Sequence, residues 1–189
     1  MKPTKTITVA TPNDVAFLVH LQKRWSQNLG FLPRCTHQRY ADNKQCLIVW
    51  QNDEPAGYLN WTLTRKGLCR IIQVAVEPEL LRTTLGTKIM KHIERQAIRG
   101  HCSIMRLTTR SDLPANQVWP LLEYKPTATF QRPTTRGLPL IEWTKQIVDA
   151  TTLALTLCTG GRSKPKAIAD QRRLSEMLIE EQERKERTA

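Results

Sequence analysis

Cysteine occurs five times in this chain, but in no arrangement that would staple it or hold a metal. Cys35, Cys46, Cys69, Cys102 and Cys158 form an odd set with no C-x-x-C pair, which argues against a disulfide framework and a zinc knuckle. Such a set is expected in a reducing cytoplasm, with most of the thiols packed as small hydrophobes. The four histidines, His20, His37, His92 and His101, lack metal-ligand spacing, so no metal is expected. No apolar run approaches membrane-spanning length, and the opening MKPTKTITVA has no apolar signal core, so no membrane partner is expected. Acidic residues are scarce beside basic ones, 17 Asp and Glu against 29 Lys and Arg, for a net charge of +12. That excess favours anionic ligands or polyanionic partners, nucleic acid among them, and says nothing about fold. There is no internal repeat.

What is present is enough apolar sequence, 40% of 189 residues, for one core. TITV alternates β-branched residues and reads as a strand. Asn13 or Asp14 then caps a helix with Val15, Leu18, Val19 and Leu21 on one side. Gly30 and Pro33 end it, and a short helix follows through His37 and Tyr40. CLIVWQ, AGYLNWTLT and LCRIIQVAVEP, joined by the turns NDEP and RKG, read as an antiparallel meander. The period then changes. Leu85, Ile89, Ile93 and Ala97 recur every four residues with Met90 beside them, and Gly100 closes this helix. CSIMRLTTR returns to strand, LPANQVWPLLEY reads as a helix disturbed by Pro120, and TATFQRP with PLIEW reads as a last strand pair. The fold class is therefore α/β, with a mixed, mainly antiparallel central sheet flanked by helices. Residues 1–145 are expected to form the main unit and 146–158 an additional packed segment. Residues 159–189 are expected to form a basic linker and a charged, helix-prone tail.

One junction has chemistry in it. In VAVEPELLRTTLGT a strand ends at a proline, a polar turn follows, and a helix begins. The first turn of a helix has unpaired amides and partial positive charge, so it can hold a diphosphate. Turns of this kind usually carry two or three glycines, whereas this one has only Gly86. Read without a ligand, the same residues form a capped helix with Thr84 as the cap.

This segment resembles the acyl-CoA-binding motif of the GNAT superfamily of N-acetyltransferases, in which a V-x-V strand precedes a proline and R/Q-x-x-G-x-G/A opens the helix. Val74, Ala75 and Val76 match the strand and Gly86 matches the second motif glycine. Leu81 stands where the motif has Arg or Gln, with Arg82 adjacent, and Thr84 replaces the first glycine. A side chain at such a tight turn is expected to cost on the order of 1 kcal/mol. ITVATPNDVAFLVHL, NLGFLPR with EPAGYL, and ANQVWPLLEY resemble further parts of the family, so that the likeness spans roughly residues 6 to 143. It implies two splayed parallel strands with acetyl-CoA between them as acyl donor. The pantetheine would pair with the backbone of Val74, Ala75 and Val76. The pyrophosphate would meet Arg82, Thr83, Thr84, Leu85, Gly86 and Thr87, the threonine hydroxyls and Arg82 standing in for missing glycine contacts.

The resemblance also implies direct transfer to an amine, with a base taking the amine's proton and an acid, frequently Tyr, protonating the thiolate. The family's Tyr falls on Trp119, whose indole N–H does not titrate in this range. Tyr124 is the alternative acid, or else a core aromatic. Glu77 is the candidate base, or else an exposed loop carboxylate. Trp25, Phe31, Tyr58 and Trp61 either wall an acceptor groove or fill the core, and Asn60 and Gln73 offer orienting hydrogen bonds. Three functions remain in play. The first is an N-acetyltransferase acting on a small-molecule, peptide or nucleic-acid-linked amine. The others are a silent relative that only binds, and a nucleic-acid-directed protein.

Overall fold

The structure is a computed structural model, and it describes residues 3–64, 67–131 and 137–147. A seven-stranded sheet runs through it in the order β1-β2-β3-β4-β5-β7-β6. Its strands are β1 (Lys5–Val9), β2 (Cys46–Gln51), β3 (Glu54–Leu63), β4 (Leu68–Val76), β5 (Ile104–Arg110), β6 (Lys125–Phe130) and β7 (Leu140–Gln146). All neighbours are antiparallel except β4 and β5. That one parallel contact needs a crossover, which α3 (Leu85–Arg99) supplies.

Two helices, α1 (Val15–Arg24) and α2 (Arg34–Asp42), cover one face of β2, β3 and β4. Val15, Leu18 and Leu21 of α1 pack there with Tyr40, Ile48, Tyr58 and Ala75. The start of α1 is fixed by Thr11, whose N–H and hydroxyl both donate to Asp14 at 2.7 Å. The opposite face packs on α3 through Leu85, Ile89, Met90, Ile93, Ala97 and Ile98. This apolar stripe is the four-residue period seen in the sequence.

The expected helix over 113–124 is not there. Short 3₁₀ turns at Pro114–Gln117 and Pro120–Leu122 stand in its place. Neither proline has an N–H to give, and the ring of Pro120 obstructs a continuous α-helix. Glu123 then takes a left-handed conformation, φ 65°, and turns the chain into β6. Cys46, Cys69 and Cys102 are buried free thiols while Cys35 is exposed. Burial pushes the thiols of Cys46 and Cys69 up to about 12. Cys158, the segment expected to pack over 146–158 (beyond Ile147) and the 159–189 tail lie outside the described residues.

Candidate active site

β4 and β5 pair at only three positions, Leu68 with Ile104, Cys69 with Met105 and Arg70 with Arg106. Beyond them the strands part. The cause is on the other side of β4. Its pairing with β3 passes from Asn60–Gln73 to Trp61–Ile71, which leaves Ile72 as an extra residue. A bulge of this kind bends its strand and sharpens the local twist, and it falls just where β5 is lost. From here on Glu77 donates its N–H to Ala56 O at 2.8 Å, so alternation turns the backbone of Val74 and Val76 toward the cleft.

At the end of β4 the chain passes through a 3₁₀ turn, Pro78–Leu80, into the turn before α3. Arg82 is left-handed here, φ 62°. Thr84, where strain was expected, has φ −78° and ψ 4° and is relaxed. The conformational cost therefore sits two residues earlier than expected, on Arg82. Among the described residues, the amides of Arg82, Thr84, Gly86 and Thr87 have no protein acceptor. A Cβ on Gly86 would meet nothing nearer than Val76 Cγ2 at 4.0 Å. Packing does not require glycine at this position; its effect is to leave the amide row bare.

The two threonines differ. The Thr83 hydroxyl donates to Leu80 O at 2.7 Å and lies 3.4 Å from the Leu85 N–H, so it is spent on its own turn. The Thr84 hydroxyl accepts from Lys5 Nζ at 2.8 Å and keeps its own proton to give. Lys88 Nζ donates to Lys5 O at 2.7 Å. Lys5, 79 residues from Thr84, gives no local sign in the sequence of reaching this turn. Bare amides, a helix start and these ammonium groups can together neutralise an anion.

The loop between α1 and α2 is tied to both parted strands. Trp25 Nε1 donates to Val76 O at 2.8 Å, and Gln73 donates to Gly30 O. From β5, Arg110 Nη1 donates to Gln27 O at 2.8 Å while holding Asp112. Phe31 projects from this loop, 81% exposed. Tyr58, Asn60 and Gln73 do not line an open groove. They form a buried network with Gln22 and His37 beneath the loop. Gln22 holds both the N–H and the C=O of Leu32, at 2.9 and 3.0 Å, and its Oε1 also accepts from Gln73 at 3.2 Å. His37 bridges Gln22 and Asn60 at 3.3 Å each, and Tyr58 donates to Gln73 at 3.0 Å. Trp61 lies on the other face of the sheet, against the α3 core.

Glu77 and Glu79 both pair with Arg24. Glu77 also lines an opening of about 500 Å³ with Gln51, Asn52, Glu54, Pro55, Ala56, Glu79 and Leu80. No wall of that opening belongs to β5 or to the turn at 81–87. The Tyr124 hydroxyl is buried and points at Met105 Sδ, 3.7 Å away. Burial, with Glu94 and Cys69 nearby, pushes it above its ordinary pKa. Trp119 meets Tyr124 edge to face, with centroids 6.0 Å apart, and its indole N–H is buried without an acceptor among the described residues.

A sheet split beside a bulge, with a bare-amide turn at the end of one branch, can receive an extended anionic ligand along the open strand edge. The family model described as "Acetyltransferase (GNAT) family" matches residues 15–120, more than half of the chain, and the chain belongs to that family. No curated protein matches. Among solved structures, the chain is similar to Ard1 from Thermoplasma volcanium (TM-score 0.70, 13% identity, 77% of this chain and 99% of that one). It is also similar to the ribosomal-protein-S18-alanine N-acetyltransferase from Escherichia coli (0.65, 18%, 78% and 96%). A third is yncA, a putative acetyltransferase from Salmonella typhimurium solved with acetyl-CoA (0.65, 18%, 77% and 95%). At these identities the likeness establishes the fold alone. Among the described residues, no helix is long and apolar enough to cross a membrane.

Proposed function

We propose that this protein is an acyl-CoA-dependent N-acyltransferase that moves an acetyl group from acetyl-CoA to a primary amine by direct attack. The observation that carries this reading is the one-sided β4 edge, open from Ile72 to Val76, leading into the bare amides of Arg82, Thr84, Gly86 and Thr87. Acetyl-CoA supplies the thioester. The cleft-facing backbone of Val74 and Val76 pairs with its pantetheine arm, and Val76 contributes its N–H because its C=O is held by Trp25. The turn amides, the Thr84 hydroxyl, Arg82 and Lys5 receive the diphosphate. As the amine nitrogen bonds to the acyl carbon, the C–S bond breaks and the thiolate leaves. Water takes the amine's proton, because Glu77 is held by Arg24 at the turn end of β4, away from the fork. The thiolate draws its proton from solvent, because Tyr124 faces the core and Trp119 has no titratable proton.

Acetyl-CoA at 100 times its dissociation constant should stabilise the fold by about 2.7 kcal/mol, read as a rise in Tm. No shift at millimolar ligand would sink the reading. A second reading, a member that binds without turnover, is favoured by Trp119 standing where the family's acid falls. It predicts the same shift with no thiol released against a broad panel of amines, whereas the transferase releases thiol with at least one. A nucleic-acid-linked acceptor would add binding to RNA or DNA that weakens steeply with salt.

A further inference from the structure

The last paired residues before the strands part are two arginines. Arg70 on β4 and Arg106 on β5 are direct partners in the parallel ladder, so their side chains leave the same face of the sheet on neighbouring strands, about 4.8 Å apart at the backbone. That face is the one away from α3. Cys69 and Ile71, and Met105 and Leu107, all point into the α3 core, and the arginines alternate with them. The same row continues through Thr144 of β7 to Lys125 of β6. Three cations thus share one row, on the part of the sheet that α1 and α2 leave uncovered.

Like charges placed directly opposite in a sheet are destabilising. Among the described residues, little offsets these. Arg70 is exposed. Glu142, one row nearer the cleft mouth, reaches Arg106 Nη1 at 3.4 Å and also accepts from Thr127 at 3.2 Å. The Arg106 Nε–H is buried with no acceptor among the described residues, although its side chain is 33% exposed. A buried guanidinium donor without a partner carries its full desolvation cost, and a carboxylate or phosphate is the group that a guanidinium fork is shaped to receive through two parallel hydrogen bonds.

We propose that Arg70 and Arg106 form an oxyanion-recognising pair at the root of the cleft, and that the acceptor amine carries a carboxylate or a phosphate. The proposal rests on the transferase reading for the word acceptor. In that reading the pantetheine arm runs from the turn at 82–87 back along β4 toward the fork. An anion held by this pair lies on the α1 side of the reacting end, opposite the α3 core. The pair is a specificity determinant and takes no part in proton transfer.

The test has two parts, both on the full chain. First, the arginine Nε–Hε resonances are followed by NMR while succinate or inorganic phosphate is added. Saturable shifts of Arg106 and Arg70 are expected, lost in Arg106→Gln and weakened in Arg70→Gln. The stronger of the two anions identifies carboxylate or phosphate as the preferred group. Second, thiol release from acetyl-CoA is compared for glycine against glycinamide and for O-phosphoethanolamine against ethanolamine. A preference of about tenfold for one charged member is expected, falling toward parity in Arg106→Gln and partly retained in Arg106→Lys. If neither anion moves either resonance saturably, or if both glutamine variants keep the preference, the proposal is overturned. Calorimetry with acetyl-CoA separates the two failures. Loss of acetyl-CoA binding by the unaltered protein sinks the transferase reading, while the anion titration still reports on the pair.

Discussion

The two halves of the sheet are built differently. β2, β3 and the part of β4 from Ile72 onward are covered on both faces, by α1 and α2 on one side and α3 on the other. β2 accordingly reads as a run of buried residues, Cys46 to Val49. β5 and β7 pack on the α3 side, and their other face carries Arg106, Thr108, Glu142 and Thr144. Burial alternates over the first five residues of β5. The seam between the halves is the short parallel contact of β4 with β5. A fully sandwiched sheet would have little room for a substrate at that seam, and a fully open one would have no rigid edge to present. The chain joins one half of each kind and places its bulge at the join.

The sharpest way to break this comparison is to remove matched groups from the shared core and from the open face. Ile93 is fully buried on α3. Ile93→Ala should cost about 2–5 kcal/mol in chemical denaturation. Thr108→Ala, on the exposed face of β5, should fall within about 0.5 kcal/mol of the parent. Comparable losses at the two positions would mean that the open face is covered after all. The next largest effect should come from Gln22, the one side chain that holds both polar groups of Leu32. Gln22→Leu leaves those groups and Gln73 short of partners, at a cost of about 1–3 kcal/mol. Hydrogen exchange at Leu32 should quicken with it. Unchanged protection there would show that the loop is held by Trp25, Gln73 and Arg110 without Gln22.

Much of this was legible in the sequence, and the reason is locality. β4, the first part of β5 and α3 announce themselves by periods of two and near four, because one face of each is buried, while β2 announces itself as an unbroken apolar run. The 81–87 turn was legible too, since strand, proline and helix start are contiguous. The helix expected over 113–124 failed because two prolines outweighed an apolar pattern that reads equally well as 3₁₀ turns. Contacts between distant residues were not legible. Lys5 with Thr84, Arg24 with Glu77 and Glu79, and Trp25 with Val76 lie more than fifty residues apart. The meeting of Gln73 with Tyr58 in one buried network depends on the bulge at Ile72, which reverses the facing of every later residue of β4. Nothing in the alternation of β4 announces it.

Arg82 gives a smaller effect that sharpens the contrast between rigid edge and ligand turn. Its left-handed backbone suits glycine. Arg82→Gly should relieve the strain and raise stability by about 1 kcal/mol. It also removes a cation from the turn, so acetyl-CoA should bind more weakly while the fold becomes harder to melt. If stability and affinity move together, the backbone conformation of residue 82 is not what the turn trades for its charge.

The smallest effect is a pH dependence confined to the sandwiched half. His37 is fully buried, and burial lowers its pKa below the ordinary 6.5. The network works in the same direction. Asn60 Nδ2 faces His37 Nδ1 at 3.3 Å, so an added proton there would set two donors against each other. Above about pH 6.5 the imidazole is neutral in both folded and unfolded chains, and its contribution is complete. As pH falls below that value the unfolded chain takes up the proton first. Stability is then lost progressively until the pH has passed through the lowered folded value. His37→Gln should lower Tm at pH 7.5 yet flatten its decline between pH 6.5 and 5. Part of the slope should remain, because burial together with Arg95 and Arg99 also lowers the pKa of His92 on α3. A decline as steep in the variant as in the parent would place the titration on His92 and leave the α1–α2 half indifferent to acid.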